Sequence, residues 1–335
     1  MKDRVTIKDI AEATGFSPST VSRIINKKGK YAQETQQTVW DAVQELKYSP
    51  NLMAKSLRSK KSALVGILIP TINDDYFGLL ADNLAQKLIR YNFSPMICPT
   101  YNDEVIEARY CSMLAASDVC GIIYVLKDTP VHETCISVPS IFIGSAPESA
   151  AEGVRILFDM IGGARKATEE LLNAGCRRIV YIEAARHRQR QLGRSLGYQQ
   201  ALWENGVSLD EDLVVTIGGQ NNNSIGSALE ELIDRKVLFD GIFSNKLSTS
   251  IEVLNTLKKR GIKVPQDVKM ISFENGRSAE LYTPGISSIG MDSSYTSEAA
   301  VSALKEMIDQ GQPLKRTVRV PAVLYRRETT AAREG

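Results

Sequence analysis

Apolar residues return every three or four positions over the first fifty residues, then collect into short unbroken runs along the rest of the chain. Ile7, Ile10 and Ala11 make one helical stripe. Thr6 opens it with Asp9 three residues on, the spacing of a capping box. Gly15 marks a turn. Ser17-Pro18 then supplies an N-cap and a proline at the first helical position. A second helix is predicted over 18–26, with Val21, Ile24 and Ile25 inward and Thr20, Ser22, Arg23 and Asn26 on a polar face. A third is predicted over 34–46, where Val39, Trp40, Val43 and Leu46 close a small core. Ser49-Pro50 leads a basic segment, 51–58, too short to hold a helix alone in water.

From Ala63 the pattern changes. ALVGILIP (63–70), SPMICPT (94–100), VCGIIYVL (119–126) and SIFIG (140–144) are apolar runs rich in β-branched residues, separated by helical stretches at 76–91 and 103–116. RRIVYIEA (177–184), LVVTIG (213–218), DGIFSN (240–245) and VKMISFEN (268–275) repeat the alternation. Strands alternating with helices imply parallel sheets joined by right-handed crossovers. Two such series imply two α/β subdomains with a cleft between them. TVRVPAVLYRRET (317–329) reads as a last strand crossing back, followed by an exposed basic tail.

Composition changes the picture in one respect. The 335 residues are 43% hydrophobic and 24% charged, ordinary for a soluble protein, with a net charge of +2. That charge is segregated: residues 1–62 hold twelve Lys/Arg against six Asp/Glu, a net +6, leaving −4 for the remainder. A small basic head on a mildly acidic body fits a separate nucleic-acid-binding domain. The five cysteines, Cys98, Cys111, Cys120, Cys135 and Cys176, are odd in number and without close-paired spacing. They read as reduced core thiols of a cytoplasmic protein rather than disulfides or metal ligands. MKDRVTIKD is too polar for a signal peptide, and no run reaches the roughly 18 apolar residues of a membrane span.

A helix, a tight turn and a second helix bearing polar and cationic side chains is what reading a DNA major groove requires. TIKDIA (6–11), STVSR (19–23) and ELKYSPN (45–51) followed by AKSLR (54–58) resemble the lactose-repressor (LacI/GalR) family of bacterial transcription regulators. The resemblance runs nearly the whole chain. It implies an all-α helix-turn-helix headpiece over 1–48 and a hinge helix and linker over 49–61. It further implies a periplasmic-binding-protein-like (type 1) body over 62–335, made of two parallel-sheet subdomains that bind an effector and dimerise.

The same resemblance assigns DNA contacts to Thr6, Ser17, Pro18, Ser19, Thr20, Ser22, Arg23 and Asn26. Pro18 has no polar side chain, so Ser19 and Arg23 carry more of the base readout, with arginine to guanine the strongest contact at about 1–3 kcal/mol of discrimination. Lys2, Lys27, Lys28 and Lys30 suit phosphates. Tyr48, Ser49 and Asn51 would add backbone contacts. Leu57, with Ala54 and Lys55 beside it, would be the apolar wedge in the minor groove.

For the effector, ligands in open α/β sheets sit beyond the carboxyl ends of strands. The loop TINDDYF puts Asp75, Tyr76 and Phe77 there, and Arg194, in RSLGYQQAL, matches an arginine that forks onto ligand hydroxyls or carboxylates. Asn245 matches a ligand-binding amide, and Glu274 stands where an aspartate is usual. Asn221 falls where an aromatic often stacks on a sugar, and Ser293 where an apolar residue lines the pocket. Lys246, Arg188 and Arg190 add cations. Cations without an aromatic platform point to an anionic ligand such as a sugar phosphate; Arg188 and Arg190 read equally as solvated surface charges.

Enzymatic motifs are missing. His132 and His187 lie in no nucleophile or metal-spacing context, and there is no GxxxxGK[ST] phosphate loop or dinucleotide fingerprint, so no cofactor or metal is implied. The reading is a homodimeric repressor on a pseudo-palindromic operator, controlled by a sugar or sugar phosphate. A purine or nucleoside corepressor is the alternative. A sugar-binding transport receptor would share the body but not the basic head. No leucine-rich heptad follows Tyr325, which favours a dimer over a tetramer. The sign of control stays open.

Overall fold

The computed structural model describes residues 5–25, 29–48, 63–126, 135, 138–144, 153–184, 188–217 and 224–331, with backbone alone at 184 and 188–191. The expected hinge at 49–61, with Ser49, Asn51, Ala54, Lys55 and Leu57, lies outside the described residues. So do Lys2, Asn26, Lys27, Lys28 and Asn221. The chain divides into two compact units, Met1–Ser62 and Ala63–Gly335.

The first unit carries helices α1 (Ile7–Thr14), α2 (Pro18–Ile25) and α3 (Gln33–Glu45). The Asp9 carboxylate accepts from Thr6 N at 2.6 Å and from Thr6 Oγ1 at 2.8 Å, which fixes the entry to α1. The same bonds hold its carboxyl below the usual range. Gly15 ends α1 at φ 72°, a left-handed conformation that costs glycine nothing. Ser17 Oγ accepts from Thr20 N at 3.1 Å and so caps α2. Ile10, Ala11, Val21, Ile24, Val39 and Ala42 form the core. Two expectations shift. Trp40 is exposed, because the inward stripe of α3 runs through Val39 and Ala42. Tyr48 packs against that core.

The second unit holds two six-stranded sheets. Strands β1 (Leu64–Ile69), β2 (Ser94–Pro99), β3 (Gly121–Val125), β4 (Ser140–Gly144), β5 (Val154–Phe158) and β11 (Arg316–Val320) build the first, in the order β11-β5-β4-β3-β1-β2, all parallel. Strands β6 (Ile179–Ala184), β7 (Val214–Ile217), β8 (Gly241–Ser244), β9 (Lys269–Ser272), β10 (Ser287–Met291) and β12 (Ala322–Tyr325) build the second, ordered β12-β10-β9-β8-β6-β7. Only the edge strand β12 runs antiparallel to its neighbour.

Alternation along the buried strands feeds two layers in each subdomain. Val65, Ile67 and Ile69 of β1 pack under helices α4 (Asp75–Arg90) and α11 (Ser293–Gln310), while Leu68 faces Cys111 and Leu114 of α5 (Glu104–Ala116). In the second sheet Tyr181, Phe243 and Ile271 face α6 (Met160–Asn173) and α7 (Arg188–Glu204). Val180, Ile242 and Met270 face α8 (Ile225–Asp234) and α9 (Leu247–Lys259). All five cysteines are free thiols, four of them buried.

The chain passes between the subdomains at Phe158–Met160, Met291–Ser293 and Val320–Ala322. Asp159 and Asp292 cap the helices that begin there, accepting from Gly162 N and Tyr295 N, each at 2.9 Å. Asp159 N donates to Val320 O at 3.2 Å, tying two crossings together. The stretch 317–329 is thus two strands in different sheets, broken at Pro321, and not one strand with a loose tail. Arg327 is held, donating to Ile286 O, Ser288 Oγ, Asn275 Oδ1 and Glu280 Oε1.

Candidate nucleic-acid interface and ligand cleft

The outward face of α2 gathers the predicted base-reading residues. Val21 and Ile24 are buried, which turns Pro18, Ser19 and Arg23 to the solvent side with Thr20 and Ser22 at its margin. Ser17 Oγ is bonded to Ser19 Oγ at 2.8 Å and to Thr20 Oγ1 at 2.9 Å. The first turn therefore presents a linked set of hydroxyls rather than independent rotors. A hydroxyl both donates and accepts, so this set can contact a phosphate or a base edge. Arg23, one turn on, is the long cationic side chain of the helix. Thr6 is exposed, with its hydroxyl turned onto Asp9.

In the second unit a cavity of about 140 Å³ opens between the two sheets. The first subdomain contributes a largely apolar wall: Pro70, Tyr76, Phe77, Leu126 and Phe158, with Asn102. The second contributes Arg194, Asn245, Lys246, Glu274 and Asn275, with Phe273 among them. These residues stand at strand carboxyl ends or just beyond, where the loops of an open sheet converge.

Each polar group is placed by its element. Asn245 follows β8 and is buried, its Oδ1 accepting from Thr249 Oγ1 at 3.1 Å. The guanidinium of Arg194 lies 4.7 Å from the centre of the Phe273 ring, and its Nη1 donates to Asn245 O at 3.2 Å. It reaches the cavity because α7 lies against α6 on glycines. A Cβ on Gly197 would sit 2.3 Å from Ile161 O, and one on Gly193 3.0 Å from Met160 Cβ. Glu274 follows β9, and its Oε2 accepts from Leu247 N, at the start of α9, at 3.3 Å. Removal from water, then the charge of Asp74, push its carboxyl up to about 7 against the pull of Lys246, Leu247 N and Arg194.

Tyr76, at the start of α4, is buried, and its hydroxyl has no hydrogen-bond partner among the described residues. Burial raises its pKa, and the charges of Glu274, Asp74 and Asp292 raise it further. A hydroxyl so placed on a cavity wall can donate to or accept from an atom that enters the cavity. Its ring packs edge-on to Phe77 at 5.6 Å and to Phe158 at 6.0 Å.

The structure thus gathers Tyr76, Phe77, Arg194, Asn245, Lys246 and Glu274 around one cavity. Asp75 is not among the lining residues: its carboxylate turns to Ser278 N, in the other subdomain, at 2.8 Å. Ser293 is buried at the start of α11, bonded to Asn83 Nδ2 at 3.0 Å. Arg188 and Arg190 lie on the first turn of α7, with side chains outside the description. The expectation of cations without an aromatic platform does not hold, because Tyr76, Phe77, Phe158 and Phe273 all border the cavity.

Leu126, Phe158, Phe273, Asn275, Gly290 and Met291 escaped the sequence reading. Phe158 and Met291 end strands whose runs, VRILF and SSIGM, are short or poor in β-branched residues. Among the described residues, no helix is long and apolar enough to cross a membrane, and no group of three His, Cys, Asp or Glu could hold a metal ion.

Residues 6–51 match the family model described as bacterial regulatory proteins, lacI family, and residues 168–330 match that of the periplasmic binding protein-like domain. The chain belongs to the lacI family. As a lacI-family member it is a DNA-binding transcriptional regulator. The HTH-type transcriptional regulator DegA of Bacillus subtilis (strain 168) is 29% identical over 296 residues, 85% of this chain and 86% of DegA. The HTH-type transcriptional repressor PurR of Glaesserella parasuis serovar 5 (strain SH0165) is 26% identical over 309 residues, 91% of this chain and 90% of PurR. The crystal structure of the Lac repressor dimer bound to operator and the anti-inducer ONPF shares the fold. Its TM-score is 0.81 at 21% identity, covering 98% of this lacI-family chain and 100% of that one.

Proposed function

We propose that the chain represses transcription as a homodimer, with its two α2 helices in successive major-groove half-sites of a pseudo-palindromic operator. A sugar or sugar phosphate in the cleft of residues 63–335 sets its affinity for that operator. In this reading Ser19 and Arg23 read bases, Ser17 and Thr20 orient the first turn, and Tyr76, Arg194, Asn245 and Glu274 hold the effector.

One observation carries the proposal: the cavity is two-faced. Aromatic rings border one side, and a guanidinium, an amide and a carboxyl border the other. A ring ligand with hydroxyls on its edge and C–H groups on its faces satisfies both walls. Lys246 and Arg194 give room for a phosphate as well. A homodimer agrees with the Lac repressor, which shares the fold and is a dimer on its operator. The same rings favour a second reading, a purine or nucleoside acting as corepressor, because a planar base stacks on them.

Gel shifts with promoter fragments flanking the encoding gene, repeated with sugars, sugar phosphates and nucleobases, test both readings. A specific shift that one sugar class strengthens or releases supports the first. A response to nucleobases alone replaces it with the second. Matched calorimetry with free and phosphorylated sugar then decides the charge of the effector.

A further inference from the structure

We propose that Asp75 is a latch that positions the two subdomains for effector binding, by capping the helix α10 (Arg277–Leu281) from across the cleft. The inference takes from the proposed function only that the subdomains close on an effector.

Two carboxylates stand side by side at the start of α4 with different tasks. Asp74 Oδ1 turns back onto its own helix, accepting from Tyr76 N and Phe77 N, each at 3.1 Å. Asp75 is not needed there. Its Oδ2 reaches the other subdomain and accepts from Ser278 N at 2.8 Å.

The receiving end is built for it. Gly276 precedes α10 and makes no side-chain cap bond, so the first-turn N–H groups need an acceptor from elsewhere. A Cβ on Gly276 would stand 2.4 Å from Asp75 Cβ and 2.7 Å from Asp75 Oδ2. Only glycine lets the carboxylate in. The helix is bolted to its own subdomain by buried Ala279, whose carbonyl accepts from Ile286 N at 2.8 Å, and by Glu280 accepting from Arg327 at 3.2 Å. A pull on Ser278 N is therefore transmitted to the whole second subdomain.

The latch lies next to the cavity on both sides. Asp75 adjoins Tyr76, and Ser278 is three residues from Asn275, both lining residues. Closing the walls on a ligand and closing the latch are one movement, so each favours the other. Asp75 acts through this geometry and touches no ligand itself.

The test uses the full-length protein without added ligand, so it stands whatever the effector proves to be. Nitroxide side chains carried by non-natural amino acids at Arg90 and Lys236, exposed positions on the two subdomains, report their separation by pulsed dipolar spectroscopy. Hydrogen exchange reports the Ser278 amide. Asp75→Ala is expected to lengthen or broaden the separation and to speed Ser278 exchange about three- to tenfold, the worth of one hydrogen bond. Asp75→Asn, which keeps an acceptor, should restore most of both; a purely structural loss would not be rescued this way. If Asp75→Ala leaves separation and exchange unchanged, the latch is overturned. Failure of the operator titration to find a sugar response would instead overturn the effector reading alone.

Discussion

Arg194 rests on Phe273: the guanidinium carbon lies 4.7 Å from the ring centre, while Nη1 is fixed by the Asn245 carbonyl at 3.2 Å. An arginine held over a ring and tied to a main-chain oxygen has little rotamer freedom left to lose on binding. It faces the cavity as a preformed fork.

Arg194→Lys keeps the charge and loses the planar fork. The effector concentration for half-response in an operator titration is expected to rise about tenfold or more. Phe273→Leu removes the cation–π support, worth about 0.5–2 kcal/mol, together with a ring on the cavity wall, and should raise it at least about two- to thirtyfold. Operator affinity in the ligand-free state should stay within about twofold for both, because both substitutions lie in the ligand cleft.

Glu274 makes the body pH-sensitive. Its carboxyl is raised from 4.5 to about 7, so the folded chain keeps a proton that the unfolded chain has lost. Stability therefore falls as pH rises from about 4.5 to 7 and levels off above. Glu274→Gln removes that slope. Urea unfolding at pH 5, 6, 7 and 8 should show the wild type losing roughly 1–3 kcal/mol relative to the variant across this window.

Gly197 sets the closeness of α6 and α7. A Cβ there meets Ile161 O at 2.3 Å and Ala164 Cβ at 2.8 Å, main chain and a short side chain that cannot swing aside. Gly197→Ala should cost about 1–3 kcal/mol in the body and displace Arg194, weakening effector binding. Thermal melts and the same operator titration read both effects.

The headpiece core is small enough for one methyl pair to matter. Val21 is fully buried on α2, opposite the reading face. Val21→Ala should speed amide exchange throughout α1–α3 and weaken operator binding, at a cost of about 1–3 kcal/mol. Effector binding should be untouched.

Much of this was legible in the sequence where period and punctuation agreed. The headpiece helices follow from Thr6, Gly15 and Ser17-Pro18, because caps act locally and leave local signatures. Trp40 misled, since helical spacing alone does not say which edge of a stripe faces inward. In the body the strong β-branched runs gave their strands. SSIGM did not, because Gly290 answers to crowding that is distant in sequence: a Cβ there would stand 2.6 Å from Asn275 Cβ. The cleft was half readable: polar groups after β8 and β9 stood out, while nothing local to Phe158 or Phe273 separates a cavity wall from a core. Asp75 was assigned to the right loop and the wrong task, since only the fold places Ser278 opposite it.

The central claim is that the outward face of α2 reads DNA sequence, and one comparison tests it most directly. Fluorescence anisotropy should be measured on the operator fragment and on a scrambled duplex of equal length, for wild type and Arg23→Ala, at the same salt concentration. The account predicts that the variant loses about ten- to a hundredfold of its preference for the operator while its affinity for the scrambled duplex changes far less. An unchanged operator preference in Arg23→Ala would contradict it.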